Sequence, residues 1–531
     1  MNVILYNGRV YPQARMARRP TLIALTGGKI AMIGEELSDA KRRFPRHRMI
    51  DLDGRAVIPG LVDSHTHFYF WAITLGAVHL DGTVDFDAAL KIIAAYSAGR
   101  AEDEWIIGDG WSPDRWASYH LPTAAELDRV TGNRPAALFS KDEHMLWVNS
   151  RALRMAGIDE RYPDPPGGVI DRDPVTRRPT GILREVPGYF PVVKIITHPK
   201  AQSVTRFLKE AAEIAYRRGV TGFHSVDGPD AWEFFQTLHG QGRLGFRVQY
   251  YFPAAKLDEL IDQGIVSGTG DETLRVGGIK LFSDGSLGAQ SALMKRPYRG
   301  SRDNYGVEVN SLSALTAVIG KASRHDLACA VHAIGDQAVA NVITAFERAG
   351  GERDLRHRIE HLQLISAADV PRLRKTGIIA SMQPTHCPSD RKLVAAYWGG
   401  RGKQAYIFKT LLRWGVPLTF GSDVPIEPLD PLAGIHAAVN RNGQGERGGR
   451  FYPEECLTVA QAIAGFTVGP AYASGRESFS GRLLPEYQAD VTILNDDIYT
   501  MPLSRIYAAS VAATMFDGRF VWRDSSFPDA D

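Results

Sequence analysis

The sequence predicts an α/β protein: a (β/α)8 TIM-like barrel with an insertion, joined to a small β-sandwich domain formed by the N- and C-terminal segments. Three observations carry this. Both ends of the 531-residue chain read as short strands and tight turns, strand-like and helical runs alternate through the second half, and the stretch from His67 to Lys280 exceeds a regular barrel spacing. A chain of this length is more than one simple core usually supports, which predicts a large catalytic domain and a smaller appended one.

Residues 3–10 and 22–33 read as strands, with Thr26-Gly27-Gly28-Lys29 turning Leu22-Ile23-Ala24-Leu25 back onto Ile30-Ala31-Met32-Ile33. In the tail, Asp490-Val491-Thr492-Ile493-Leu494 reads as a strand. Val511-Ala512-Ala513-Thr514-Met515-Phe516 and Arg519-Phe520-Val521-Trp522 read as a hairpin turning at Asp517-Gly518. Residues 1–57 plus 484–531 are therefore expected to form one small β domain, with two unrelated caps as the alternative.

The barrel is expected over 58–483. Strand-like Val276–Phe282, Ala328–Val331, Arg358–Leu362, Ile378–Met382 and Leu418–Phe420 alternate with helical Ser311–Arg324, Gln337–Ala349, Ala367–Lys375 and Ala405–Trp414. The surplus before Lys280, with its Pro163-Asp164-Pro165-Pro166-Gly167-Gly168 turn, is read as an insertion at about 70–215 that helps define a substrate pocket.

Composition narrows the function. Lysine and arginine total 62 against 60 acidic residues, which gives no electrostatic reason to expect nucleic acid or an anionic membrane; a small-molecule substrate is expected. Three distant cysteines, Cys329, Cys387 and Cys456, suit neither a disulfide framework nor a thiolate zinc cluster. With no apolar leader and no stretch of the ~20 apolar residues that cross a bilayer, a cytoplasmic setting is expected. Oligomeric state is left open, a homodimer included.

The residues that carry chemistry begin with Ala56-Val57-Ile58-Pro59-Gly60-Leu61-Val62-Asp63-Ser64-His65-Thr66-His67. In a strand, positions i and i+2 share a face, so His65 and His67 can offer two imidazoles to one ion. Four further candidates stand where apolar strands give way to loops: Lys280, His332, His361 and Asp423. Singly, each reads as a hydrogen-bonded strand end or a helix cap. As a set at equivalent points they read as a metal site. A buried Lys280 would otherwise need an acidic partner such as Asp284 or Glu360.

These motifs, with Ile279-Lys280-Leu281-Phe282-Ser283-Asp284-Gly285-Ser286-Leu287-Gly288, Val331-His332-Ala333-Ile334-Gly335-Asp336, Ile359-Glu360-His361, Ser381-Met382-Gln383-Pro384-Thr385-His386 and Gly421-Ser422-Asp423-Val424-Pro425, resemble the amidohydrolase superfamily of metal-dependent hydrolases, and within it the YtcJ-like (amidohydrolase-3) group. The resemblance implies a binuclear metal centre. His65 and His67 would bind one divalent ion with Asp423, His332 and His361 the other, and Lys280 would bridge both once N-carboxylated, since an ammonium has no lone pair to offer. Zinc suits such mixed ligation, although iron, manganese or nickel could occupy it. Metal-acidified water would attack a carbonyl, with Asp423 taking its proton and passing it to the leaving nitrogen.

The resemblance also bears on reaction class. Hydrolytic deaminases of the superfamily commonly carry a glutamate three positions after the fifth-strand histidine, where this chain has Gly335. Cleavage of a non-peptide carbon–nitrogen bond, in an amide, N-acyl amine or N-formyl amine, is favoured. The alternatives are a mononuclear hydrolase of an ester, lactone or cyclic amide, and an inactive hydrolase-like binding or regulatory protein. Trp111, His144, Asp284, Gln383 and His386 are the candidates for substrate contact.

Overall fold

The structure, a computed structural model, describes residues 2–13, 18–196, 201–350, 355–443 and 449–528; Met1, 14–17 and 529–531 of the expected β domain lie outside it. The chain divides into two compact units. One comprises Met1–Phe68, Ala211–Ser283 and Leu312–Asp531, the other Tyr69–Glu210 and Asp284–Ser311.

The first unit contains eight parallel strands: β1 (Leu61–Thr66), β2 (Val220–Ser225), β3 (Arg247–Pro253), β4 (Leu274–Phe282), β5 (Ala328–Ala333), β6 (Arg358–His361), β7 (Ile379–Met382) and β8 (Leu418–Phe420). They pair in chain order from β1 to β8. The ring then closes: Thr66 bridges Val424 in parallel, the Asp423 amide donates to the His65 carbonyl at 2.8 Å, and the His67 amide donates to the Val424 carbonyl at 3.0 Å. This is the expected TIM-like barrel. Its strands are buried on both faces, which is why β5, Ala-Cys-Ala-Val-His-Ala, reads as a continuous run without polar alternation.

Two strands, β2 and β3, fall where the sequence reading placed none. The helix expected over Ala405–Trp414 is shorter, Phe408–Arg413, because Tyr406 takes a φ of 54° and cannot continue a right-handed helix.

The chain ends build two further sheets of this unit. Leu22–Thr26, Lys29–Gly34, Val3–Tyr6 and Arg48–Asp51 form one; Arg9–Val10, Ala56–Pro59, Val491–Leu494, Val511–Phe516 and Arg519–Arg523 form the other. Val3, Leu5, Ile23 and Leu25 of the first share a core with Val57, Val491, Ile493 and Met515 of the second. Both hairpins turn through two positive-φ residues, Gly27-Gly28 (57° and 82°) and Asp517-Gly518 (51° and 69°), the turn that matches strand twist. The tail strand is also tied to the barrel, where Arg247 on β3 donates from Nε to Asp490 at 2.9 Å.

The second unit is organised on a six-stranded sheet in the order Val169–Arg172, Pro179–Arg184, Met145–Val148, Ala136–Ser140, Ile106–Trp111, Val78–His79. It includes Asp284–Ser311, which the sequence reading left to the barrel. That segment is held by side chains: Ser286 Oγ donates to Asp142 at 2.7 Å and Ser291 Oγ to Glu185 at 2.6 Å. Among the described residues no helix is long and apolar enough to cross a membrane.

Closure leaves no room beside β8. A Cβ on Gly421 would lie 2.5 Å from the His65 nitrogen and 2.7 Å from an Asp63 carboxylate oxygen. Gly421→Ala is expected to destabilise the protein by about 1–3 kcal/mol in urea unfolding, the usual cost of overpacking; an unchanged midpoint and slope would show that the seam yields freely.

Candidate metal centre

Strand alternation on β1 places Asp63 and His65 on one face, with His67 one step beyond the strand. Asp63 is fully buried. Its two oxygens accept the Ser422 amide at 2.9 and 3.0 Å, and one accepts the His65 amide at 3.2 Å, so this carboxylate braces the turn that presents Asp423. Burial pushes its carboxyl up to about 7.

Around Asp423 the donor atoms converge. Its Oδ1 lies 3.3 Å from His65 Nε2 and 3.5 Å from His67 Nε2, and its Oδ2 lies 3.8 Å from His361 Nδ1. The His361 ring centroid stands 4.9 Å from that of His65 and 4.5 Å from that of His332. One donor atom each from His65, His361 and Asp423 fall within 4.8 Å of one another. The structure thus gathers His65, His67, His332, His361 and Asp423 at the strand ends of one barrel.

The chemistry of this cluster fits a cation. His65 Nδ1 meets Glu360 Oε2 at 2.5 Å, and a carboxylate only accepts, so Nδ1 carries the hydrogen. Burial, and then the charge of Lys280, lower the His65 pKa to about 4, so near neutral pH its Nε2 bears a lone pair. That lone pair faces Asp423 Oδ1, a buried oxygen that accepts no hydrogen bond among the described residues. Two lone pairs at 3.3 Å repel, and an unsatisfied buried oxygen is costly. A divalent ion shared by the two groups answers both problems. Burial works against the Asp423 charge, but the positive charge that the histidine cluster, His65 foremost, gains in the acid range where a carboxylate titrates outweighs it and holds the carboxyl below the usual range.

Lys280 lies on β4, buried, with Nζ 5.2 Å from the Phe282 ring centroid. Glu360, one of the two acids considered from sequence, forms no ion pair with it among the described residues. The carboxylates that favour its charge are Glu360 and Asp423, and burial outweighs them, lowering the ammonium to about 8. His361 is also held well below the ordinary imidazole range, by burial and then by His332.

Three more residues surround the ligands; sequence reasoning named Glu360 only as a possible partner of Lys280 and passed over Arg358 and His224. Arg358 and Glu360, both on β6, have no exposed surface, and Arg358 Nε donates to Glu360 Oε1 at 2.6 Å. His224, at the end of β2, accepts from an Arg358 terminal nitrogen through Nδ1 at 2.7 Å. The signal that could have found the pair is its alternation, two charges at i and i+2 in a strand that a barrel buries on both faces. Alternation alone would turn His361 away from Glu360. A φ of 70° at His361 re-aims it, so consecutive residues both serve the site.

Gln383 and His386 follow β7 and stand beside His361: Gln383 Oε1 is 3.0 Å from His361 Nδ1, and the His386 ring lies parallel to that of His361 at 6.3 Å. Gln363, missed from sequence, contacts His386 Nδ1 at 3.4 Å. Gln363 Oε1, Gln383 Nε2 and His386 Nε2 are buried and lack hydrogen-bond partners among the described residues.

The other three sequence candidates belong to the second unit. Trp111 is a core residue there: its indole has no exposed surface, packs against Trp116 and Trp147, and donates to the Leu138 carbonyl at 2.8 Å. His144 Nδ1 pairs with Glu185 at 2.7 Å; burial opposes its charge, but Glu185 raises the pKa to about 9. Asp284 is buried and accepts the Leu293 amide at 2.8 Å.

Buried neutral histidines set a pH dependence. Burial lowers His65 and His357 to about 4, and His224 and His361 well below 6.5. Between about 6.5 and 4 the unfolded chain binds protons at these sites that the folded protein does not, so stability falls as pH falls. Asp63, raised to about 7, acts in the opposite sense, and His144, raised to about 9, does so mainly above pH 6.5, so the four lowered histidines dominate the window. The melting temperature of metal-free protein is expected to drop steadily from pH 6.5 to 4; a flat or rising profile in that window would contradict this charge assignment.

The sequence profile of the amidohydrolase family matches residues 48–522. YtcJ of Bacillus subtilis (strain 168) is 30% identical, over 99% of this chain and 100% of its own length. An N-substituted formamide deformylase of Arthrobacter pascens is 25% identical, over 93% of this chain and 94% of its own. The crystal structure of an uncharacterized metal-dependent hydrolase from Pyrococcus furiosus, 29% identical, superposes with a TM-score of 0.75 over 94% of this chain and 100% of that one. With its barrel and its strand-end histidines, the chain belongs to the amidohydrolase family, in the YtcJ-like group.

Proposed function

We propose that the protein is a metal-dependent hydrolase that cleaves a non-peptide carbon–nitrogen bond in a small neutral substrate, an N-acyl or N-formyl amine. The observation that carries this reading is the unsatisfied Asp423 Oδ1 facing the lone pair of His65 Nε2 at 3.3 Å. His65, His67 and Asp423 would hold one ion, His332 and His361 a second, with Lys280 as an N-carboxylated bridge; zinc suits the donor set. Bound divalent ions acidify water and polarise a carbonyl oxygen.

The chain's own residues supply the rest. Asp423, its carboxyl held below the usual range and so ionised near neutral pH, is the base that takes a proton from water and the acid that returns it to the departing nitrogen. Gln363 Oε1, Gln383 Nε2 and His386 Nε2 offer unspent hydrogen-bonding capacity beside His361 without a carboxylate or ammonium among them, which suits an uncharged amide. The deformylase from Arthrobacter pascens, matched along nearly its whole length, supports an N-formyl amine within that class.

A second reading has its own observation. Among the described residues, the donor atoms that lie within 4.8 Å of one another are those of His65, His361 and Asp423, the arrangement of a single ion. Metal content separates the two. Elemental analysis of protein prepared with zinc and bicarbonate is expected to give about two ions per chain, falling to about one or fewer in Lys280→Ala. About one ion in both would favour the mononuclear reading, and none in either would overturn both. Asp423→Asn is expected to keep the fold and lower kcat on N-formyl amines by about 10²-fold or more, the range for loss of a general acid–base.

A further inference from the structure

We propose that Glu360, fixed by Arg358, is a positioning residue that makes His65 a metal ligand by selecting its tautomer. This rests on the metal-centre reading above and assigns a role to two residues that reading leaves idle.

Arg358 is wholly buried inside the barrel, where a guanidinium is costly unless paired and hydrogen-bonded. Its donors reach four strands besides its own. One terminal nitrogen donates to His224 Nδ1 on β2 at 2.7 Å and lies 3.5 Å from the Tyr251 hydroxyl on β3; the other donates to the Ser64 carbonyl on β1 at 2.7 Å and to Ser381 Oγ on β7 at 3.1 Å. Nε is left for Glu360 Oε1, at 2.6 Å. A buried ion pair adds little net stability to a core that apolar side chains could fill. Only a carboxylate, however, can anchor one oxygen on Arg358 and turn the other to His65.

That second contact, Glu360 Oε2 to His65 Nδ1 at 2.5 Å, decides where the imidazole hydrogen sits. A neutral imidazole carries its hydrogen on either nitrogen, and the partner of one nitrogen sets the state of the other. With Nδ1–H committed to Glu360, Nε2 keeps its lone pair toward Asp423 Oδ1. Because Arg358 holds the opposite oxygen, the carboxylate cannot swing away. Carboxylates that orient ligating histidines in this way typically govern metal affinity as well.

Glu360→Gln tests the idea, because glutamine fills the same volume but offers one acceptor and one donor. With its oxygen on Arg358, its amide hydrogens face His65 Nδ1, which must then accept, and the imidazole hydrogen moves to Nε2. Zinc affinity would be measured by competition with a chromogenic chelator, together with the visible spectrum of the cobalt-substituted protein and the melting temperature of the metal-free form. Glu360→Gln is expected to weaken zinc binding by about 10–100-fold. Glu360→Asp, shorter but with both acceptors, is expected to bind zinc more tightly than Glu360→Gln and to keep a cobalt spectrum nearer that of wild type.

A packing role alone predicts the reverse order. Zinc binding by Glu360→Gln within about threefold of wild type, or weaker binding by Glu360→Asp than by Glu360→Gln, would overturn the proposal and leave the metal centre standing. Failure of wild type to bind zinc would remove the metal centre and the proposal with it. Should Glu360→Gln not fold, Arg358→Lys, which keeps the charge but loses the fork that pins Glu360, is expected to weaken zinc binding, and unchanged affinity there would also overturn it.

Discussion

The hydrogen bond from the Asp423 amide to the His65 carbonyl, 2.8 Å, joins the last strand end of the barrel to the first. It is a backbone contact that completes a ring of parallel strands, and it belongs to the same two residues whose side chains face each other across the candidate metal centre. Closure and chemistry are therefore one constraint. Asp63 reinforces it by accepting from the Ser422 amide on one side of the seam and the His65 amide on the other, and Gly421 permits the approach because it has no side chain.

The two chain ends support this seam from below. Ala56–Pro59 pairs antiparallel with Val491–Leu494, and only Gly60 separates it from β1. The strand that delivers His65 and His67 is thus anchored by residues from the far end of the chain. Thr492 Oγ donates to the Gly219 carbonyl at 2.8 Å just before β2, so neighbouring barrel strands begin from the same support. Locally read hairpins and a long-range barrel meet in one folding unit, which accounts for β-rich termini on an otherwise alternating α/β chain.

Much of this was legible in the sequence because its periodicities are short. The i, i+2 spacing of His65 and His67, and the polar residues Lys280, His332, His361 and Asp423 closing apolar runs, are local signals. Arg358 was not legible, and Glu360 only as a possible partner of Lys280, because alternating charge in a strand reads as a solvated face, and only the closed barrel makes that face an interior. β2 and β3 were lost beside a long insertion, where Gly222, His224, Ser225, Arg247 and Gln249 break up their apolar runs. Trp111 misled because it was expected to contact substrate from the resemblance of Gly108-Asp109-Gly110-Trp111 to segments beside the site, whereas the tryptophan ends a strand and its indole is enclosed.

The positive backbone angles at His361 and Asp423, 70° and 63°, carry a consequence for anyone transplanting this chemistry. Regular strands would deliver at most every second residue to a barrel's interior, so copying the six side chains onto an idealised scaffold would point two of them at the wrong neighbours. The transferable unit is larger than a list of ligands. It is each strand together with the left-handed step that follows or ends it, and a library that varied side chains while holding an ideal backbone would never sample it.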